Sequence, residues 1–167
     1  MTADAAVEEL LSDVRLIDWA GWAIPLPNRL FAYEPDSVIP AFERLASART
    51  PDEGQHAYNA LLDAVGHNHS GTPYTAMSPA APLLARLVPL LTYSGPAAMD
   101  ALTDCALWSR GEPAFLGPDG HTHHLEQETR AALRTLEDLA RLWAESGIDE
   151  ARRGAGRGLL EALAELT

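Results

Sequence analysis

Two short segments constrain this chain more than any other feature. Thr50-Pro51-Asp52-Glu53 and Ser78-Pro79 each set a hydroxyl before a proline, and apolar residues spaced three and four apart follow both. A hydroxyl satisfies a free amide of a helix's first turn, and proline suits the first helical position because its missing N–H had no partner to lose. Glu53, three residues after Thr50, completes a capping box. Ala57, Ala60, Leu61, Ala64 and Val65 then form one buried stripe, with Gly66 ending the helix. Leu83, Leu84, Leu87, Val88 and Leu91 form another, which Pro89 is expected to kink or end.

The same periodicity runs through the rest of the chain. Val7, Leu10, Leu11 and Val14 predict a helix over 3–16, and Val38, Ile39, Phe42 and Leu45 predict a second one after Asp36 or Ser37. Pro96 opens a helix to about Ser109. Thr122 is the expected cap of a long helix to about Ser146, stopped by Gly147. Leu125, Ala132, Leu133, Leu136, Leu139, Ala140 and Trp143 are its inner stripe, and Glu126–Arg130 and Glu137–Arg141 are ion pairs on its outer face. A last helix starts near Asp149. Its Gly154, Gly156 and Gly158 cost roughly 1 kcal/mol each against alanine, so part of Arg152–Gly158 is expected to be irregular, with Leu159, Leu160, Leu163 and Leu166 still packing. Loops are expected from His67 to Ser78 and from Gly111 to Gly120. The fold class is therefore all-α: a single domain over 1–167, built as a HEAT-like α-solenoid or helical array of about seven helices.

With 47% hydrophobic residues the chain can bury a full core. Its single cysteine, Cys105, lies in an apolar helical run and reads as a small buried hydrophobe. The N-terminus has neither a basic region nor an apolar run, which predicts a cytoplasmic protein. Acidic residues number 24 against 12 basic ones, and every basic residue is arginine. Such a surface repels phosphate backbones, which argues against nucleic-acid partners, and attracts basic proteins.

The stretch His69-Ser70-Gly71-Thr72-Pro73-Tyr74, with Ala81-Pro82-Leu83-Leu84 after it, resembles a group of bacterial HEAT-repeat-like proteins. In these a His-x-Gly-Thr-x-Tyr loop precedes an apolar helix. Ala57-Tyr58-Asn59-Ala60-Leu61-Leu62, Ile17-Asp18-Trp19 and Val38-Ile39-Pro40-Ala41 fit the same pattern, so the resemblance covers about residues 15–108. Leu83, third in Ala81-Pro82-Leu83-Leu84, departs from the aromatic usual at that place. The resemblance implies a HEAT-like fold and no particular activity.

Two loops carry the histidines. His67 and His69 sit in one, and His121, His123 and His124 in the other. Imidazoles two apart on a loop suit zinc, copper or nickel, but no cysteine or carboxylate stands at a fixed ligand spacing, so no metal site and no cofactor are expected. The consecutive His67-Asn68-His69 lacks the ββα setting of the nucleases named for those letters. Ser70, Ser78 and the histidines suggest a Ser-His-Asp arrangement, yet there is no Gly-x-Ser-x-Gly elbow. The glycines of 154–158 match neither phosphate-loop pattern.

The expected function is a protein–protein binding module and not an enzyme. Its partner is expected to be a basic protein, and its sharpest form is an immunity protein that neutralises a toxin domain. The candidate face combines aromatic anchors Trp19, Trp22 and Tyr74 with Asp18, Glu34 and Asp36, and His67 and His69 beside them. The competing reading of the rings, favoured by how often tryptophan is buried, places them in the core. The alternatives are a metal-dependent or histidine-based enzyme using the 67–74 and 121–124 loops, and a scaffold subunit of a larger assembly.

Overall fold

The computed structural model describes residues 2–27, 33–146 and 149–166. Eight α-helices account for most of them: α1 (Ala3–Leu16), α2 (Val38–Ser47), α3 (Pro51–Val65), α4 (Met77–Leu87), α5 (Gly95–Trp108), α6 (Leu125–Thr135), α7 (Glu137–Ser146) and α8 (Glu150–Glu165). Single 3₁₀ turns precede α2 and follow α4, the latter at Val88–Leu90, where Pro89 ends the α-helical ladder as its ring requires. Strand is confined to two antiparallel hairpins of two residues a side. β1 (Gly66–His67) pairs with β2 (Thr72–Pro73), and β3 (Phe115–Leu116) with β4 (Thr122–His123). The all-α helical array expected from the periodicity is what the chain forms.

Its starts follow the capping chemistry at α1, α3 and α8, whereas Ser37, at the start of α2, makes no capping bond and donates to the Glu34 carbonyl instead. The Thr50 hydroxyl accepts from the Glu53 N–H at 3.2 Å, and Glu53 reaches back to the Arg49 N–H at 2.6 Å, one residue beyond the usual capping box. Asp149 caps α8 through the Arg152 N–H at 2.7 Å. Ser78, by contrast, caps nothing. The amides of Met77 and Ser78 are already held by the Tyr74 and Thr75 carbonyls, so α4 begins two residues earlier, at Met77, and the serine side chain is free for other use. Thr122 does not cap either, because it is paired in β4.

The long helix expected to Ser146 is two helices. Leu136, at φ −98° and ψ 0°, breaks it between α6 and α7, and its buried side chain holds the corner in the core. Both outer ion pairs are present, Arg130–Glu126 at 2.6 Å and Arg141–Glu137. The stop expected at Gly147 lies outside the described residues.

Helix α8 is continuous through its glycines, correcting the expected irregularity. Gly156 lies where α8 crosses α7. A Cβ there would stand 2.5 Å from the Ala140 carbonyl oxygen and 2.9 Å from the Ala144 nitrogen. Close backbone approach, rather than local unwinding, explains that glycine.

One apolar cluster runs from Leu10 to Leu166. Helix α5 sits at its centre and packs against α3, α4, α6 and α8. Buried Cys105 is part of it, as expected. Helices α4 and α6 lie side by side at the edge of this array, and the groove between them is where polar chemistry collects.

Candidate functional site

The α4–α6 groove has a volume of about 790 Å³. Its α4 wall is Pro79, Pro82, Ala85 and Arg86, extended by Pro89 of the following 3₁₀ turn; its α6 wall includes Ala131, Ala132 and Thr135, with Leu136 beyond. Residues 79, 82, 86 and 89 on one side and 128, 131, 132 and 135 on the other follow helical spacing, so each wall is one face of its helix. Small or ring-closed side chains leave the space open. At 1.5 Å per residue the α4 wall from Ser78 to Pro89 is roughly 16 Å long. Five residues of extended chain or three turns of helix cover that length.

One end of the groove is closed by polar groups from three elements. The Pro118-Asp119-Gly120 turn of the second hairpin presents Asp119, β4 presents His123, and the first turns of α6 and α4 present Glu128 and Ser78. His123 Nε2 lies 3.0 and 3.1 Å from the two carboxylate oxygens of Asp119. Its Nδ1 lies 2.8 Å from Glu128 Oε1 and 3.0 Å from Ser78 Oγ. Ser78 in turn donates to Glu128 Oε2.

The hairpin is shaped for this. A Cβ at Gly117 would fall 2.6 Å from His123 Cδ2 and 2.7 Å from Asp119 Oδ1, so only glycine lets both side chains lie on the turn. The His123 ring also stacks on Phe115 at 5.5 Å and meets Trp22 edge-on at 5.0 Å. Thr75 ties the Trp22 segment to the start of α4, donating to the Trp22 carbonyl and accepting from the Ile24 N–H.

A carboxylate only accepts hydrogen bonds, so with Asp119 and Glu128 ionised both ring nitrogens carry protons and His123 is an imidazolium. Burial pulls its pKa down, but the hydrogen bonds to Asp119 and Glu128 outweigh that, and the net shift is upward from 6.5. Asp119 is held down at about 2, first by the His123 hydrogen bond and then by the His121 backbone N–H. The cluster therefore carries two negative charges and one positive at the mouth of an apolar channel.

The arrangement is Ser-His-carboxylate in composition, but its hydrogen bonds differ from those of a nucleophilic triad. A nucleophilic serine needs a histidine nitrogen with a free lone pair, and here both nitrogens are spent on carboxylates. The Ser78 hydroxyl is directed at Glu128, and the amides of Met77 and Ser78 are bonded to turn carbonyls and so cannot form an oxyanion hole. The site sets two carboxylates and an imidazole beside apolar surface.

The residues expected to form a binding face are placed differently. Trp19 is 4% exposed, its Nε1–H bonded to the Val14 carbonyl at 2.9 Å and its ring stacked on Phe42. Tyr74 is buried against Tyr33. These rings belong to the core, so they cannot serve as exposed anchors. Trp22, 8% exposed, is also packed, but one edge lines the groove. Asp18, Glu34 and Asp36 are exposed and do not line it; Asp18 accepts from the Gly21 N–H at 3.2 Å.

His67 and His69 stand edge to face in the first hairpin with ring centroids 6.0 Å apart, and His67 Nδ1 is 2.8 Å from Ser70 Oγ. Among the described residues no group of three histidine, cysteine or acidic side chains is arranged to hold one ion. Of the expected residues the structure thus brings Trp22 and His123 together. Asp119 and Glu128 were not anticipated, although they flank His123 four residues before and five after it in sequence.

Among the described residues no helix is long and apolar enough to cross a membrane. No family model, curated protein or solved structure matches the chain, so its function is read from the groove itself.

Proposed function

We propose that this chain is a protein-binding module whose α4–α6 groove receives a segment of a basic partner protein. The observation that carries the reading is the groove's two-part character: about 790 Å³ of open space with apolar walls, ending at Asp119 and Glu128. A partner segment with apolar side chains along its length and a cationic one at its end complements both parts. The net charge of −12 steers such a partner towards the protein from a distance. An immunity protein against a basic toxin domain is the specific form of this reading that the charge supports. The HEAT-like resemblance enters as a proposal about ancestry, not about the partner.

The test uses isothermal titration with a synthetic peptide of alternating leucine and arginine, against the same peptide with glutamate replacing arginine. Ala131 is exposed on the groove wall, so Ala131→Trp fills the channel without disturbing the core. The arginine peptide should bind, more weakly as salt shortens the ~8–10 Å screening length, and Ala131→Trp should abolish the binding. Equal binding of both peptides, or binding that ignores Ala131→Trp, refutes the proposal.

A further inference from the structure

The polar end of the groove is already an ion-pair network, and its cation is internal. His123 fills the space between Asp119 and Glu128 with its ring edge-on to Trp22. The groups facing it are Asp119 from the turn, Glu128 from α6 and Ser78 from α4, with the uncharged rings of Phe115 and Trp22 completing its surroundings. His121 lies beyond Asp119, its Nδ1 3.5 Å from that carboxylate. Arg86 lines the same groove with its guanidinium 2.9 Å from Asp13. A ligand cation entering here meets carboxylates that the imidazolium has neutralised in part.

Building on the groove-binding reading, we infer that the partner's arginine takes the imidazolium's place as counter-charge to Asp119 and Glu128, so that binding releases a proton from His123. The exchange conserves charge. The guanidinium brings one positive charge to the two carboxylates, and His123 gives up one as H⁺ to solvent, keeping a neutral ring that still donates one hydrogen bond. Arginine suits the exchange because it stays charged throughout and bonds two carboxylates through its forked donors. Recognition is thereby coupled to acidity: the complex tightens as pH rises through the titration of His123 and loosens in acid.

The same alternating leucine–arginine peptide tests this once its N-terminus is acetylated and its C-terminus amidated, because it then has no group that titrates near neutrality. Its affinity for wild-type protein should rise several-fold between pH 6 and pH 8, and heats measured in buffers of different ionisation enthalpy should report proton release. The ring resonances of His123 should titrate at lower pH with peptide bound. His123→Gln keeps a neutral donor and should bind equally at both pH values, and more tightly at pH 6 than wild type does. Asp119→Asn, on an exposed turn, should weaken binding at both. Wild-type affinity that does not change with pH, or a pH dependence that survives His123→Gln, overturns the proton exchange while leaving groove binding intact. Absence of binding at either pH overturns the groove reading and this inference with it.

Discussion

Substituting the glycines of α8 one at a time separates helix propensity from helix packing. A Cβ at Gly154 or Gly158 meets nothing within 4 Å. Alanine there gains propensity alone, about 0.5–1 kcal/mol, which at roughly 2–4 °C per kcal/mol raises Tm by a few degrees. At Gly156 the added carbon falls 2.5 Å from one backbone atom of α7 and 2.9 Å from another. Neither atom can swing aside as the tip of a side chain would, so α7 and α8 must separate. Overpacking of this kind costs about 1–3 kcal/mol and outweighs the propensity gain. The net loss is up to about 2.5 kcal/mol, a fall in Tm of up to roughly 10 °C, set against the rise expected at Gly154 and Gly158. Thermal and urea melts followed by circular dichroism measure the three variants side by side. If Gly156→Ala melts with or above Gly154→Ala, the close approach of α7 and α8 is wrong.

Trp19→Ala removes a buried ring and leaves the Val14 carbonyl with only the longer bond from the Ile17 N–H at 3.4 Å, so it should cost about 3–5 kcal/mol, read from the urea midpoint; a loss under about 1 kcal/mol would place the ring outside the core. The His123–Asp119 pair predicts a pH window for stability. His123, shifted upward, contributes fully below about pH 6.5 and loses its contribution as pH rises through its folded-state value. Asp119, held at about 2, contributes above about pH 4 and less as pH falls through that value. The wild-type urea midpoint should therefore exceed that of Asp119→Asn most between about pH 4 and 6.5, and a gap that does not change with pH would refute the pairing.

The helices were legible wherever a local signal marked them. Thr50-Pro51 starts α3 as its chemistry requires, and α1 has the bounds its stripe predicts. The break at Leu136 was not legible, because none of Arg134, Thr135, Leu136 and Glu137 is a helix breaker; tertiary packing of Leu136 makes the corner. Ser78 was misread for the opposite reason. It carries a strong local cap signal, yet the preceding turn satisfies the amides and its hydroxyl goes to Glu128, fifty residues away. The site was half legible on the same grounds. His123 and Trp22 stand out as residue types, whereas Asp119 and Glu128 gain meaning only once α4, α6 and a hairpin meet. Trp19 and Tyr74 stand out equally and are core, since an aromatic in a loop gives no sign of which way it faces.

The central place of α5 has a consequence for how the chain is made. Ala98, Ala101, Leu102, Cys105 and Ala106 are all buried, and one of the helices packed around them is α8, the last of the eight. During synthesis α6 and α7 emerge first, so the part of α5 that α8 covers stays in contact with water until α8 has cleared the ribosome. At about 5–20 residues per second that interval lasts some seconds, far longer than a helix needs to form. The nascent chain in that interval is a helical intermediate with an adhesive seam, the state a holdase would recognise. A ribosome-bound chain stalled before Glu150 should therefore be protease-sensitive along α5, and one extended past α8 should be protected there.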